Sequence, residues 1–383
     1  MDFSLNDEQR QIREMVHDIC LERVEPRAAE IDESGEFPWD IKELFAKHDI
    51  LAIPFTPEYG GVSGSVLTLL VAVEEISKFC VTSSLILSVQ SLGSLPIALA
   101  GTAEQKRKYL PPLARGEQLA AYALTESGSG SDAGGMRTRA IKRGDTYVLN
   151  GSKTFITGGS VADTVVVFAR TDQNGDTPAR NISAFIVEKT MPGFKVGKLE
   201  KKMGIRGSPT AQLFFEDLAV PAANRLGSEG EGFKLAMRVL DHSRPGIAAQ
   251  ALGIAEGAFD LARKYARDRR QFGRPIAEFE MIQWRLARAR TELDAARLLV
   301  HRAAALADAG LRFTDAASKA KLYASEAATR AADSSLQVLG GYGYLRDFPA
   351  ERMMRDAKIT QIYEGTNEIQ RLVIAREQLK EKT

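Results

Sequence analysis

Glu364 stands in Ile362-Tyr363-Glu364-Gly365-Thr366-Asn367-Glu368-Ile369-Gln370-Arg371, a short connection between helical runs flanked by aromatic and apolar residues. A carboxylate there loses hydration, so its pKa rises toward neutrality, the range in which a glutamate serves as a general base. The same residue would also be ordinary as an acidic group near a helix N-terminus, where the dipole favours it. A second candidate is Thr125-Glu126-Ser127-Gly128-Ser129-Gly130-Ser131-Asp132-Ala133-Gly134. Gly128, Gly130 and Ala133 match the dinucleotide fingerprint, which requires a strand before and a helix after. Gly134-Gly135 oppose that helix, so the match reads as accidental. Two readings stay open: a surface loop, or a loop that offers backbone N–H groups and hydroxyls to a pyrophosphate. A third candidate is the basic run Arg263 to Pro275, either a solvated helix end or a phosphate clamp. His17, His48, His242 and His301 are scattered, and no nucleophile–histidine pairing or Cys/His metal cluster can be built from them.

Three kinds of sequence must position these groups, with boundaries expected at 1–118, 119–228 and 229–383. The first is helical. Asn6 with Gln9 reads as a helix entry, Pro54, Pro57 and Gly60-Gly61 as a loop, and Val66 to Phe79 as a helix. Thr102 caps another helix, which Pro111-Pro112 is expected to end. The second part is strand-like. Tyr147 to Ile156 reads as a hairpin turning at Asn150-Gly151, and Thr164–Phe168 and Ile182–Val187 are β-branched runs, with Leu213-Phe214-Phe215 continuing the pattern. Short strands with little helix between them predict a barrel or small sandwich. The third part is long, Ala-rich helix. Three sets carry apolar stripes at spacings of three and four: Leu252–Ala266, Ile282–Val300 and Ala320–Val338, the last with Ser334 in one place. Small Ala at such seams permits close helix approach in a bundle, with Gly310 and Gly340-Gly341 as turns.

The chain has 383 residues, 44% of them hydrophobic, with 51 Lys+Arg against 50 Asp+Glu. That is enough chain for two or three domains and excludes wholesale disorder, while a net charge of +1 gives no electrostatic case for nucleic acid or an anionic membrane. Cys20 and Cys80 form no disulfide framework and read as buried hydrophobes of a reducing compartment. Met1-Asp2-Phe3-Ser4-Leu5 resembles no leader, and Leu85–Ala100, interrupted by serines, Gln90, Gly93 and Pro96, is expected to fall short of a spanning helix. A cytoplasmic location is the resulting expectation.

Together the motifs Tyr122–Gly134, Phe155-Ile156-Thr157, Arg269–Gly273, Gln337–Gly341 and Ile362–Gln370 resemble the acyl-CoA dehydrogenase family over nearly the whole chain, closest to its short-chain or short-branched-chain branch. The resemblance implies an α+β, mostly α fold: an N-terminal helical domain, a middle β-barrel or sandwich domain and a C-terminal four-helix bundle. It implies FAD, bound between the β domain and the bundle of a homotetramer. Tyr122, Leu124, Thr125, Gly130 and Ser131 would line the flavin and its phosphates, with Phe155 and Thr157 at the isoalloxazine ring. Arg269, Phe272, Gln337, Gly340 and Gly341 would hold the adenine dinucleotide end across a subunit interface, and Thr366 and Glu368 would complete the site. Ser131, Asp241, Arg244 and Gly365 would meet the acyl-CoA.

By the same resemblance, Glu364 takes the α-proton while flavin N5 takes the β-hydride. The Glu364 backbone N–H and a flavin ribityl hydroxyl polarise the carbonyl. Electrons leave to an electron-transferring flavoprotein. No metal is implied. Some branches carry the base just before the Arg-Pro equivalent of Arg244-Pro245. Ser243 stands there, leaving Glu364. Ser83 and Ser84, ahead of Ser88-Val89-Gln90-Ser91, replace the arginine of the dicarboxylate-specific branch. Glu280 stands where many members have Gln. Acyl-chain length would depend on the segments around Leu87–Leu95 and Asp241–Ala248. The alternatives are a flavin oxidase of the same fold and a helical scaffold without cofactor, and a Rossmann NAD enzyme is the least supported.

Overall fold

The first helix, α1 (Asp7–Ile19), opens on a capping box: Asn6 Oδ1 accepts from Gln9 N at 2.8 Å, and Gln9 Oε1 accepts from Asn6 N at 3.0 Å. The computed structural model describes residues 4–171 and 181–380, so Met1, Asp2 and Phe3 of the leader reading lie outside the described residues. After α1 come α2 (Ala28–Ser34), α3 (Trp39–Lys47), α4 (Val66–Phe79), α5 (Val81–Ala100) and α6 (Ala103–Ala114). Two of these differ from expectation. The polar and helix-breaking residues of Leu85–Ala100 do not interrupt α5, a continuous helix of 20 residues that is long and apolar enough to cross a membrane. Of its apolar window, 56% is buried inside the molecule. Gln90 is satisfied within the core: its Nε2 donates to Leu113 O and Gln118 O at 2.7 and 2.8 Å, and its Oε1 accepts from Ala120 N at 3.0 Å. Gly93 lets the helix lie against the first strand, because a Cβ there would meet Ala120 and Ala121 backbone atoms at 2.7 Å. Nor do Pro111 and Pro112 end α6. Leu113 and Ala114 are buried, and that packing outweighs the lost hydrogen bonds.

The middle strands are β1 (Ala120–Ala123), β2 (Arg139–Arg143), β3 (Thr146–Thr157), β4 (Thr164–Arg170), β5 (Ile182–Glu188), β6 (Phe194–Leu199), β7 (Thr210–Pro221) and β8 (Arg225–Leu226). They form one sheet in the order β6-β7-β3-β2-β4-β5-β8, with β1 parallel to β4. Tyr147, Leu149, Leu213 and Phe215 from one part of the sheet share a core with Val165, Val167, Phe185 and Val187 from another. The sheet therefore bends over its own interior in the manner of a sandwich. Alternate residues Val166, Phe168, Ala184 and Ile186 pack with Tyr109, Leu110 and Leu113 of α6. The expected hairpin at Asn150-Gly151 is absent, since both residues lie inside the continuous β3. Gly151 sits instead at a bulge against β7 with φ 147°, where Thr138 would leave a Cβ only 2.6 Å. The tight turn falls earlier, at Gly144-Asp145 between β2 and β3.

The remaining helices are α7 (Gly232–Asp268), α8 (Glu280–Asp308), α9 (Thr314–Leu339), α10 (Ala350–Ile359) and α11 (Asn367–Leu379), with the ribbon β9 (Arg270–Gln271) and β10 (Arg274–Pro275) between α7 and α8. The expected stripes face the interior: Leu252, Ala255, Phe259, Ala289, Leu293, Ala296, Val300, Ala320, Ala324 and Ala331 share one core with α1, α4 and α5. Cys20 and Cys80 are free and buried in the same core.

Candidate active site

The segment from Thr360 to Thr366 joins α10 to α11 and carries Glu364 with φ 56°. Left-handed backbone in a residue with a side chain is costly and persists only where the surroundings hold it. Ser243 Oγ, on α7, donates to Glu364 Oε2 at 2.7 Å. Burial pushes the Glu364 carboxyl above the usual range, against the opposing pull of Ser243, Arg244 and Lys321. Arg244 is buried, its Nη1 donating to Asp241 Oδ1 at 2.6 Å while its Nε has no partner. Asp241 Oδ2 in turn accepts from Thr314 Oγ1 at 2.7 Å. From the sheet side comes Tyr122, whose buried hydroxyl also lacks a partner, and whose pKa is raised by burial and then by the charge of Glu364. Behind the loop, the Tyr363 hydroxyl bonds Gln250 Oε1, and Gln250 Nε2 donates to Ser84 Oγ at 2.9 Å. Gly365, at φ 90°, comes after Glu364, and its carbonyl accepts from Gln370 Nε2 at 2.8 Å.

Ser243 is thus a partner of Glu364, not merely the residue standing where another branch has its base. Removing its hydroxyl in Ser243→Ala leaves the carboxylate less stabilised, so the Glu364 pKa rises further. A hydrogen bond to a charged group is worth about 1.5–3 kcal/mol, so a rise of roughly one to two pH units is expected. It can be read from the protonated-carboxyl infrared band that disappears in Glu364→Gln.

The loop after β1 is held from below by a buried ion pair. Lys153 Nζ donates to Leu124 O at 2.9 Å and to Glu126 Oε1 at 2.8 Å, and Glu126 also accepts from Arg137 N and Thr138 N at 2.6 and 3.0 Å. Thr154 N donates to Thr125 O at 2.9 Å. Gly128, Gly130 and Ser131 are exposed above this anchor, and a Cβ at either glycine would meet nothing within 4 Å. The chain then makes a single 3₁₀ turn at Ala133–Gly135, not the α-helix the fingerprint needs, so the Rossmann reading fails here for the reason expected. Two residues beyond Lys153, Phe155 stands 63% exposed with φ 57°, and Thr157, half-buried, ends β3.

A second open surface lies at the far end of α7 and α9. Arg269, Gly340 and Gly341 line a groove of ≈ 560 Å³ together with Tyr265, Val338 and Tyr342. The Arg269 guanidinium sits 5.7 Å from the Tyr342 ring centre. Gln337, exposed near the end of α9, accepts from Gly340 N through its carbonyl. Phe272 does not line the groove. It stands 93% exposed at the tip of the β9–β10 ribbon with φ 52°. Thr366 caps α11 through Oγ1 to Ile369 N at 3.4 Å, and Glu368 lies exposed in that first turn.

These positions fit a flat, two-phosphate cofactor. A cradle at Gly128 and Gly130 has room beside its backbone, and an aromatic ring at Phe155 is unburied. The groove carries a cation and backbone open at Gly340-Gly341. Three of the six non-glycine residues with positive φ among the described residues, Phe155, Phe272 and Glu364, are expected site residues. Four polar groups around the site have roles that escape a reading of the sequence: Lys153 and Glu126 as a buried anchor, Ser243 as a hydrogen-bond donor, and Lys321. A lysine set between Ala320 and Ala324 in an apolar stripe is the available signal for the last.

Residues 6–117 match the acyl-CoA dehydrogenase N-terminal domain, 121–218 the middle domain and 230–379 the C-terminal domain. The chain is 51% identical to the short-chain specific acyl-CoA dehydrogenase of Clostridium acetobutylicum, over 98% of this chain and 99% of that one. It is 50% identical to the acryloyl-CoA reductase (NADH) of Anaerotignum propionicum, over 99% and 96%. The solved butyryl-CoA dehydrogenase of Megasphaera elsdenii superposes with a TM-score of 0.97 at 44% identity, covering 99% of this chain and 100% of that one. Three matched domains in sequence order, with relatives of equal length, establish that this chain is a member of the acyl-CoA dehydrogenase family.

Proposed function

We propose that this chain removes two hydrogens from a short or short-branched saturated acyl-CoA to give the 2-enoyl-CoA, with FAD as cofactor and Glu364 as the base. The observation that carries the reading is a carboxylate of raised pKa, hydrogen-bonded by Ser243 on a backbone held at positive φ, with Tyr122 of the β domain facing it. Glu364 takes the proton from carbon 2 of the thioester as the double bond forms to carbon 3. Bound FAD supplies the acceptor for the hydride leaving carbon 3. The backbone N–H of Glu364 stands as a donor to the thioester carbonyl, whose polarisation makes the carbon-2 proton acidic enough to move. Asp241, Arg244 and Gly365 orient the thioester beside the base, and Ser131 meets it from the loop.

Tyr122, Leu124, Thr125, Gly130 and Ser131 would line the flavin and its phosphates, Phe155 and Thr157 would approach its ring, and Thr366 and Glu368 would complete the site. Arg269, Gln337, Gly340 and Gly341 would receive the adenine end. The exposed Phe272 fits a contact completed by a second copy in a homotetramer, and an electron-transferring flavoprotein fits as acceptor.

Anaerobic addition of butyryl-, isobutyryl-, 2-methylbutyryl-, octanoyl- and glutaryl-CoA to the yellow protein tests this. Bleaching is expected with the short monocarboxylic thioesters, and crotonyl-CoA should recolour the reduced protein. Rapid oxygen consumption with substrate would instead mark an oxidase, and a protein that stays colourless with added FAD would overturn the reading.

A further inference from the structure

Lys321 is fully buried on α9, and its ammonium makes no ion pair within 4 Å among the described residues. A buried cation without a carboxylate in contact is expensive, so something else must justify it. Its hydrogen bond goes to Asn367 Oδ1 at 2.9 Å, three residues after Glu364. One turn on, Ser325 exchanges hydrogen bonds with the Asn367 side chain at 3.0 and 3.1 Å. One further turn on, Thr329 Oγ1 accepts from Gln361 Nε2 at 2.8 Å, three residues before Glu364. The two ends of the segment also meet directly, Asn367 N donating to Gln361 O at 3.0 Å. Positions 321, 325 and 329 recur at i, i+4 and i+8, so one face of α9 grips both ends of the strained loop.

We propose that Lys321 is a positioning residue for Glu364: through Asn367 it fixes the loop that aims the carboxylate, and it supplies a positive charge facing that carboxylate from α9. This rests on the reading of Glu364 as the base. The charged and titratable groups facing Glu364 are Arg244 from α7, Tyr122 from β1, Tyr363 from its own loop, and Lys321. Facing Lys321 are Glu364, Glu368 and Arg244. Burial pushes the Lys321 ammonium down to about 7, with Glu364 pulling the other way. Near neutrality the cation is therefore present in part, and its loss removes one of the pulls that oppose the rise of the Glu364 carboxyl.

The test is the pH dependence of substrate bleaching by holoenzyme carrying Lys321→Gln or Lys321→Arg. A cation favours the ionised carboxylate, so replacing it by a neutral donor raises the pKa of the base. Lys321→Gln should move the acid limb up by about one pH unit, with a roughly tenfold slower rate below the limb and an unchanged flavin content. Lys321→Arg keeps the charge and should leave the limb where it is, whatever its amplitude. The tether is read separately in Asn367→Ala, which retains the cation: bleaching should slow about tenfold with the limb unmoved. A Lys321→Gln limb that superimposes on the parent overturns the electrostatic role, and an Asn367→Ala protein as fast as the parent overturns the tether. Should Lys321→Gln not fold, an Arg variant with a displaced limb would overturn the proposal by itself. Failure of the base reading shows elsewhere, as bleaching retained by Glu364→Gln, so the two failures are distinguishable.

Discussion

The Glu364→Gln protein will purify yellow and will be bleached by butyryl-CoA at least about 10³-fold more slowly than its parent, within the range that a positioned general base supplies. Gln has the shape of Glu and can still accept from Ser243, so the α10–α11 loop should keep its conformation. What it lacks is an oxygen basic enough to take a carbon-2 proton. Flavin content and melting temperature should match the parent, which separates loss of chemistry from loss of the site. Bleaching within tenfold of the parent would remove Glu364 from the mechanism and return the segment to an ordinary helix connection.

The second large effect is structural. Lys153→Met should lower stability by about 3–5 kcal/mol, the usual cost of leaving one member of a buried ion pair uncompensated. Both partners are buried, and Glu126 gathers Arg137 N and Thr138 N as well as the ammonium, so its charge has little access to water. Because Leu124 and Thr125 hang from the same anchor, the variant should also lose FAD on gel filtration. The pair Lys153→Met/Glu126→Leu should recover most of the stability, since two apolar groups leave no orphaned charge. Urea unfolding of the three proteins decides it. A single variant within about 1 kcal/mol of the parent that stays yellow would show that the loop is anchored some other way.

Much of the scaffold could be read from local chemistry. The caps at Asn6–Gln9 and Thr102–Gln105 and the bounds of α4 depend on residues within one turn of each other, and they fall where spacing places them. The failures share a cause. Asn150-Gly151 has the residue types of a tight turn, but the glycine is required by the crowding of Thr138, the residue just before β2. Pro111-Pro112 ought to stop a helix, yet the burial of Leu113 and Ala114 against the sheet carries it on. At the site, Glu364 stands out by its immediate neighbours. Its hydrogen-bond donor Ser243 is 121 residues away in sequence, and Lys321 reaches the loop through a hydrogen bond to Asn367. Pairings of that range leave no periodic trace.

The helix Val81–Ala100 has one more consequence. It packs on α4 before it and β1 shortly after it, but also on α7, which begins only at Gly232. A ribosome translating this chain thus releases a bilayer-compatible segment long before its last covering surface has been synthesised. During that interval its apolar surface lacks one of its covering helices, the condition under which a folding chain is prone to aggregate.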